Sequence, residues 1–229
     1  MKALFHLVGV GTDINSSFER GAALAPPMIR QALWSDRGNL ACENGMEVGR
    51  DFVLEDMGDL PLGEVPEDYR LIRDAVAASL TGGAIPILLG GDHAVTLPVM
   101  EAIHAGHGPV TILHVDAHPD LYDDFGGNPR SHASPFARIM EAGLASRLVQ
   151  VGIRTLNRHC REQAERFGVE IIDMRSFAPD RVPILSGATY VSLDLDGLDP
   201  AFAPGVSHPE PGGLTVRELL SVLDRITGN

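Results

Sequence analysis

Three short segments place acidic residues and histidines directly after apolar runs. They are Asp92-His93 after "IPILLGG", Asp116-Ala-His118-Pro-Asp120 after "VTILHV", and Asp194-Leu-Asp196 after "TYVSL". Carboxylates and imidazoles bind divalent cations in many proteins. Side chains two positions apart point to the same side of an extended chain, so the second and third segments could each offer two or more ligands to one ion. The three segments together favour a metal site over three unrelated turns.

The donor set indicates which ions would bind. It contains oxygen and imidazole ligands and no thiolate, which suits a hard or borderline divalent ion such as manganese. Four aspartates, Asp116, Asp120, Asp194 and Asp196, carry four negative charges, and two divalent ions would balance them. A two-metal site is therefore predicted, because such a site can lower the pKa of water from about 15.7 towards about 7 and supply hydroxide at neutral pH.

Each motif taken alone also has a purely structural interpretation. Gly-Gly followed by Asp92 is also ordinary turn and helix-cap chemistry. The segment "SHAS" around His132 could be a helix cap followed by a half-buried histidine. Only the combination of the three strand-end segments outweighs these interpretations.

Composition limits the remaining possibilities. The chain has 229 residues, 44% of them hydrophobic, and the formal net charge is −13. This acidic balance disfavours nucleic-acid phosphate and favours cationic ligands. No apolar stretch approaches the ~20 residues that span a bilayer, so no membrane segment is expected. Two cysteines far apart in sequence, Cys42 and Cys160, indicate reduced thiols, from which a cytoplasmic location is predicted.

Strand and helix patterns alternate along the chain. Apolar runs predict strands at "ALFHLVGV", "IPILLGG", "VTILHVD", "RLVQVGI", "VEIIDM" and "ATYVSLDLD". Helices are predicted near residues 22–33, 67–80, 95–105, 133–143, 158–167 and 215–227. The last begins with a capping-box pattern at Thr215 and Glu218 and has Gly228 as a stop. The alternation predicts one α/β domain over residues 1–229, with a mostly parallel sheet covered by helices on both faces.

The metal segments carry a resemblance to a known family. "GGDHAVTLP", "DAHPD" and "SLDLDGLDPAFAPGVSHPEPGGLT" resemble, in the same order, the three metal-loop signatures of the ureohydrolases, which include arginases and agmatinases. "GNPRSHASPFARIMEAG" and "LVQVGIR" look most like plant-type arginases and agmatinase-like bacterial relatives. The resemblance implies a three-layer α-β-α sandwich and two Mn²⁺ ions.

The same resemblance implies a role for each motif residue. His93 and Asp120 would complete one manganese site and His118 and Asp196 the other, with Asp116 and Asp194 bridging the ions. Asp120 would also accept a hydrogen bond from the nucleophile, and His132 matches the catalytic histidine of the family. Candidates for the substrate pocket are Asn128, Asn157 and His208.

The resemblance also implies the substrate class and the assembly. A small guanidino compound, agmatine or arginine, would be cleaved to urea and an amine. In animal arginases an acidic residue that contacts the α-amino group of the substrate stands where "GIRTLN" has Asn157. Plant-type arginases have the same asparagine, so both arginine and agmatine remain candidate substrates. Relatives form trimers or hexamers, which implies a homo-oligomer.

One feature departs from the family pattern. Family members continue past the segment resembling "LTVRELLSVLDRITG" into a further strand and helix, so the domain is expected to be C-terminally incomplete. Two alternatives to an active ureohydrolase therefore stay open: a non-catalytic metal-binding relative, and a deacetylase-like metal amidohydrolase. The usual single-zinc site of the deacetylases would leave His93, Asp116 or Asp196 unexplained.

Overall fold

The computed structural model describes residues 2–227, which divide into two compact units. The first unit comprises the described residues up to Gly106, and the second begins at His107. Each unit alternates parallel strands with helices, as the sequence pattern predicts. No helix within residues 2–227 is both long enough and apolar enough to cross a membrane.

The first unit has a three-stranded parallel sheet in the order β2-β1-β3. Its strands are β1 (Ala3–Val10), β2 (Phe52–Asp59) and β3 (Ile85–Gly90), and its helices are α1 (Ala25–Leu33), α2 (Asp68–Thr81) and α3 (Thr96–His107). The central strand β1 buries Leu7, Val8 and Val10. A short 3₁₀ helix, His93–Val95, follows β3 and places the predicted ligand His93 just beyond the carboxyl end of that strand.

The second unit has a four-stranded parallel sheet in the order β6-β5-β4-β8. Its elements are β4 (Val110–Val115), α4 (Pro135–Glu141), β5 (Ala145–Ile153), α5 (Arg158–Phe167), β6 (Glu170–Asp173), β7 (Leu185–Ser186), β8 (Thr189–Leu193), α6 (Val216–Leu223) and β9 (Ile226–Thr227). Strands β7 and β9 pair separately as a short parallel ribbon. Strands β4 and β5 contribute Leu113, Val115, Val149 and Val151 to a buried apolar core. This core supports the strand ends that carry the second and third metal segments.

Most predicted elements are confirmed, and the exceptions have physical reasons. Strand β2 escapes prediction because its sequence, FVLEDMGD, turns acidic after three apolar residues and its second half is largely exposed. Helix α6 ends at Leu223 rather than near residue 227, since Ile226 and Thr227 leave the helix to pair with β7. The predicted stop at Gly228 lies outside the described residues.

The capping box at the start of α6 is confirmed. The Thr215 hydroxyl accepts a hydrogen bond from the Glu218 backbone N–H, and the Glu218 carboxylate accepts one from the Thr215 N–H. Replacing Thr215 with alanine is expected to destabilise the protein by about 1 kcal/mol, because one of the first N–H groups of the helix loses its acceptor. Urea unfolding measures this loss. Ser221→Ala, at a half-buried position within the same helix, is the control, and equal losses would contradict the capping role.

Candidate metal centre

The register of two neighbouring strands brings the second and third metal segments together. Strands β4 and β8 pair in parallel with Val115 opposite Leu193, so Asp116 and Asp194 follow at the same edge of the sheet. The Asp194 N–H donates to the Val115 carbonyl at 2.9 Å. The Ala117 N–H donates to the Asp196 Oδ1 atom at 3.1 Å, which ties the two loops directly. Acidic side chains thus converge beyond the carboxyl ends of parallel strands, where ligands bind in α/β proteins.

A tight turn, not strand pleating, sets the spacing of the acidic residues. Strands β4 and β8 end at Val115 and Leu193, before the metal segments begin. Asp116 Oδ1 accepts a hydrogen bond from the His118 N–H at 2.6 Å, and Asp194 Oδ1 accepts one from the Asp196 N–H at 2.9 Å. Each aspartate therefore makes an Asx turn onto the residue two positions on. The side chains of Asp116 and His118 do lie side by side, as the spacing predicts, but Asx turns rather than a continuing strand place them there.

The loops assemble a cluster of possible ligands from the buried Asp116 and Asp196 and the half-buried His118. The His118 Nδ1 atom lies 3.0 Å from Asp196 Oδ2 and 3.4 Å from Asp116 Oδ1. One ligand atom from each of the three residues lies within 4.8 Å of the others. Asp116 is only 1% exposed, so its carboxylate cannot rely on water for solvation. A cation held by these side chains would balance the buried negative charge.

The electrostatics of the cluster fit a bound cation. Burial raises the pKa of Asp196 well above its usual value, and repulsion from Asp116 and Asp194 raises it further. Burial lowers the pKa of His118, but hydrogen bonds and attraction to Asp116 and Asp196 outweigh burial and raise it to about 11. Crowded carboxylates that draw a proton onto a neighbouring imidazole are a donor set to which divalent cations bind by displacing that proton.

Two further predicted metal residues, Asp120 and His93, lie in constrained loops. Asp120 is buried and adopts a left-handed backbone conformation with φ of 48°, which aspartate tolerates better than most residues. In the first unit, His93 begins the 3₁₀ helix after β3, and the carboxylate of Asp92 accepts hydrogen bonds from the N–H groups of Ala94 and Asn15. Burial raises the pKa of Asp92 to about 6. Both assignments to a metal site remain predictions.

Three histidines of the second unit lie close together. The ring of His208 stacks on that of His132, with centroids 5.3 Å apart, and meets the ring of His118 edge-on at 5.9 Å. The His208 Nδ1 atom also lies 2.8 Å from the Ser207 hydroxyl. The structure therefore places the pocket candidate His208 between the predicted catalytic His132 and His118 of the ligand cluster.

The two asparagine candidates make local structural bonds. Asn128 Oδ1 accepts a hydrogen bond from the Arg130 N–H at 2.9 Å. Asn157 Oδ1 caps helix α5 by accepting from the Cys160 N–H, and its amide nitrogen donates to the Tyr122 hydroxyl. Asn157 thus has a capping role that the sequence comparison with animal arginases does not reveal.

Arg154, which directly follows β5, organises the third metal loop. Its guanidinium donates to the carbonyl oxygens of Asp196 at 2.6 Å, Leu198 at 3.2 Å and Glu210 at 2.6 Å. The sequence prediction missed this residue, although a charged side chain directly after a buried apolar strand is a usable signal. Arg154 therefore stabilises the backbone that presents Asp196.

A glycine in β5 makes room for the backbone of Asp116. Gly152 has φ of 94°, and a Cβ atom there would lie 2.9 Å from the Asp116 carbonyl oxygen. Replacing Gly152 with alanine is expected to destabilise the protein by about 2 kcal/mol or more, because strain and a steric clash add. Thermal unfolding checks this value. Gly143→Ala shares a positive φ but has open space around it, so a similar loss in both variants would contradict the close-approach argument.

Comparisons with known proteins identify the family. A sequence model of the Arginase family matches residues 3–229. The chain is 47% identical over 245 residues to arginase 1 of Oryza sativa subsp. indica, covering 100% of this chain and 72% of the rice protein. It is 49% identical to arginase 1 of Arabidopsis thaliana, covering 98% and 70%. The chain belongs to the Arginase family. This arginase-family chain is also 35% identical to the mitochondrial agmatinase of Gallus gallus, covering 94% and 68%.

The structural comparison confirms the predicted fold class. The arginase from Medicago truncatula superimposes with a TM-score of 0.91 at 44% identity, covering 98% of this chain and 76% of that one. An arginase-like α/β fold with parallel-sheet layers is thus shown. The two alternatives left open by the sequence, a non-catalytic metal-binding protein and a deacetylase-like amidohydrolase, are not favoured, because hydrolase relatives match the whole chain.

The predicted cytoplasmic location is wrong. The rice and Arabidopsis relatives are named mitochondrial proteins, and these names contradict the cytoplasmic location. Both cysteines are free, as predicted. Reduced thiols occur both in the cytoplasm and inside organelles, so the cysteines could not distinguish these locations.

Proposed function

We propose that this arginase-family chain is a binuclear manganese hydrolase that cleaves the guanidino group of a small substrate to urea and an amine. The buried cluster of Asp116, His118 and Asp196 at the ends of β4 and β8 carries the proposal. Asp120 and Asp194 would complete the carboxylate set, and His93 is the ligand proposed from its motif in the first unit. Two divalent ions would balance the four aspartate charges.

The chemistry of the substrate explains why such a site is needed. A guanidinium group stays protonated, with a pKa above about 12, and its resonance makes the central carbon a poor electrophile. Divalent manganese, when bound, supplies a Lewis acid that makes water a strong nucleophile near neutral pH. The fixed carboxylates of the chain would hold the ions and attract the cationic substrate.

Proton transfer completes the proposed reaction. Addition of water to the guanidinium carbon must be followed by cleavage of the bond to the alkyl nitrogen, and that nitrogen must gain a proton to leave as an amine. His132 is proposed to deliver this proton, since an imidazole exchanges protons near neutral pH. Its stacking on His208, which also contacts His118, supports a position beside the ligand cluster.

Arginine is proposed as the first substrate to test and agmatine as the second. The relatives named arginases share 47% and 49% identity with the chain, compared with 35% for the chicken protein named agmatinase. Asn128, Asn157 and His208 remain the proposed pocket residues. A homo-oligomer, trimer or hexamer, is also proposed and can be measured by light scattering.

One experiment tests the function directly. The protein is loaded with manganese, its metal content is measured by mass spectrometry, and urea release is followed with arginine, agmatine and shorter guanidino acids. About two manganese ions per chain with urea release from one substrate is the expected result. Metal binding without urea release from any substrate would overturn the proposal, and one zinc with acetyl release would indicate a deacetylase-type enzyme instead.

A further inference from the structure

A chain of hydrogen bonds lies beneath the carboxylate of Asp116. His114 on β4 and Gln150 on β5 are register partners, and neither is accessible to solvent. The Gln150 Nε2 atom lies 2.6 Å from the Pro119 carbonyl oxygen and 3.0 Å from His114 Nδ1. The His114 Nε2 atom lies 2.8 Å from Asp116 Oδ2. The chain therefore runs from the loop carbonyl through an amide and an imidazole to the carboxylate.

The direction of every bond in this chain follows from the Pro119 carbonyl. A carbonyl oxygen only accepts, so the group 2.6 Å from it must be the NH₂ of Gln150, since a flipped amide would set two oxygens against each other. The second N–H of that NH₂ points to His114 Nδ1, which must accept and therefore carries no proton. The single proton of the neutral ring is then on Nε2 and is donated to Asp116 Oδ2.

His114 and Gln150 do more than fill space in the core. A buried amide and imidazole are less favourable than apolar side chains unless their polar atoms are bonded. Gln150 Oε1 is buried and has no hydrogen-bond partner within the described residues, so the amide keeps an orientation that leaves one of its own atoms unsatisfied. The His114 ring is also fixed by stacking on Phe136, with centroids 3.9 Å apart. The arrangement therefore fixes the direction of the hydrogen bonds at the cost of leaving the buried Gln150 Oε1 atom unsatisfied.

We propose that Gln150 and His114 are positioning residues for Asp116. Together they hold its carboxylate in one orientation, in which the atom that faces the His114 Nε2–H group must be an oxygen that accepts a hydrogen bond. This inference rests on the proposed metal function. Asp116 Oδ1 already accepts from the His118 N–H, so both oxygens are held and the remaining lone pairs have defined directions. Partners of this kind behind metal-binding carboxylates typically contribute about 10–100-fold in metal affinity.

Gln150→Glu is the sharpest test, because it changes the hydrogen-bonding groups and almost nothing in shape. The ionised glutamate offers no N–H, so it repels the Pro119 carbonyl and demands a proton on His114 Nδ1. A neutral ring then presents the lone pair of Nε2 to Asp116. We expect manganese binding about 10–100-fold weaker, measured as free manganese by electron paramagnetic resonance during titration.

Gln163→Glu is the matched control. Gln163 is also buried, and its amide nitrogen donates to the Leu121 carbonyl and the Asp123 carboxylate. This change should lower the unfolding temperature and leave manganese affinity unchanged. A loss of affinity equal to that of Gln150→Glu would mean that any buried charge disturbs the site, and it would overturn the inference.

Variants of His114 provide a second, independent comparison. In His114→Gln the side-chain nitrogen can reach the position of the imidazole Nε2 and donate to Asp116, whereas His114→Leu has no donor. We expect His114→Gln to keep most of the manganese affinity and His114→Leu to lose about 10–100-fold. Gln150→Met, an apolar replacement of similar length, covers the case in which Gln150→Glu does not fold, and it should weaken binding as well.

The outcomes separate this inference from the proposed function. Wild-type affinity in Gln150→Met and His114→Leu would overturn the positioning role even if urea is released. If the parent protein binds manganese but hydrolyses no guanidino compound, the proposed function fails, and the binding isotherms alone decide the inference. A parent protein that binds no manganese overturns both.

Discussion

Replacing Asp116 with asparagine is expected to weaken manganese binding by about 100-fold or more and to remove most of the activity. Asp116 is buried, and its two oxygens accept hydrogen bonds from the His118 N–H and the His114 ring. Asparagine removes one negative charge and replaces one acceptor with an NH₂ group. Metal content after dialysis and the free-manganese signal during titration measure the effect.

The control for this variant is another aspartate with no role in the cluster. Asp180 is exposed on the 3₁₀ helix Pro179–Arg181, so Asp180→Asn removes the same charge without touching the site. It should retain metal and activity. Circular dichroism shows whether the Asp116→Asn protein is folded. A folded Asp116→Asn protein with full metal occupancy would contradict the assignment of Asp116 as a residue that bridges the two ions.

Replacing His132 with asparagine is expected to slow turnover by about 10²–10⁴-fold while metal content stays unchanged. Asparagine can still donate a hydrogen bond, but it cannot pick up and release a proton near neutral pH. The ring of His132 stacks on His208, and His208 in turn meets the His118 ring of the cluster edge-on, so metal binding should not depend on His132. Measurements of kcat and KM across pH, together with metal analysis, check the prediction.

His107→Asn is the matched control, because His107 is exposed at the end of α3. Its kinetics and metal content should equal those of the parent protein. In the parent protein, kcat should change with pH as the proton donor ionises, and this pH dependence should be absent in His132→Asn. Loss of both metal and turnover in His132→Asn would place this residue among the ligands or the structural residues and would contradict the proton-transfer role.

Much of the second unit could be predicted from the sequence because its signals are strong and local. Strand β4 is a mainly apolar run, and the segment "DAHPD" that directly follows it marks both the element and its chemistry. The capping box of α6 is equally local and appears as predicted. Parallel pairing of β4 and β8 then follows from the α/β pattern, and it brings Asp116 and Asp194 to one edge.

Other features could not be predicted because they depend on partners distant in sequence. The second strand, β2, has a mixed acidic pattern and becomes a strand by pairing with β1. The role of Gln150 depends on the register between β4 and β5, and a single glutamine in an apolar strand shows only that some polar partner exists. The Asx turns at Asp116 and Asp194 give the same i, i+2 spacing as a strand, so sequence spacing alone could not distinguish them.

The bonds of Arg154 link the dynamics of two loops. One guanidinium holds the carbonyls of Asp196 and Leu198 on one stretch and that of Glu210 on another. Neither stretch can open by local unfolding without breaking bonds shared with the other, so the two form one cooperative unit. A small molecule that orders the Glu210 segment would therefore slow amide hydrogen exchange around Asp196. Binding of such a molecule would make the loop that carries Asp196, a proposed metal ligand, more rigid.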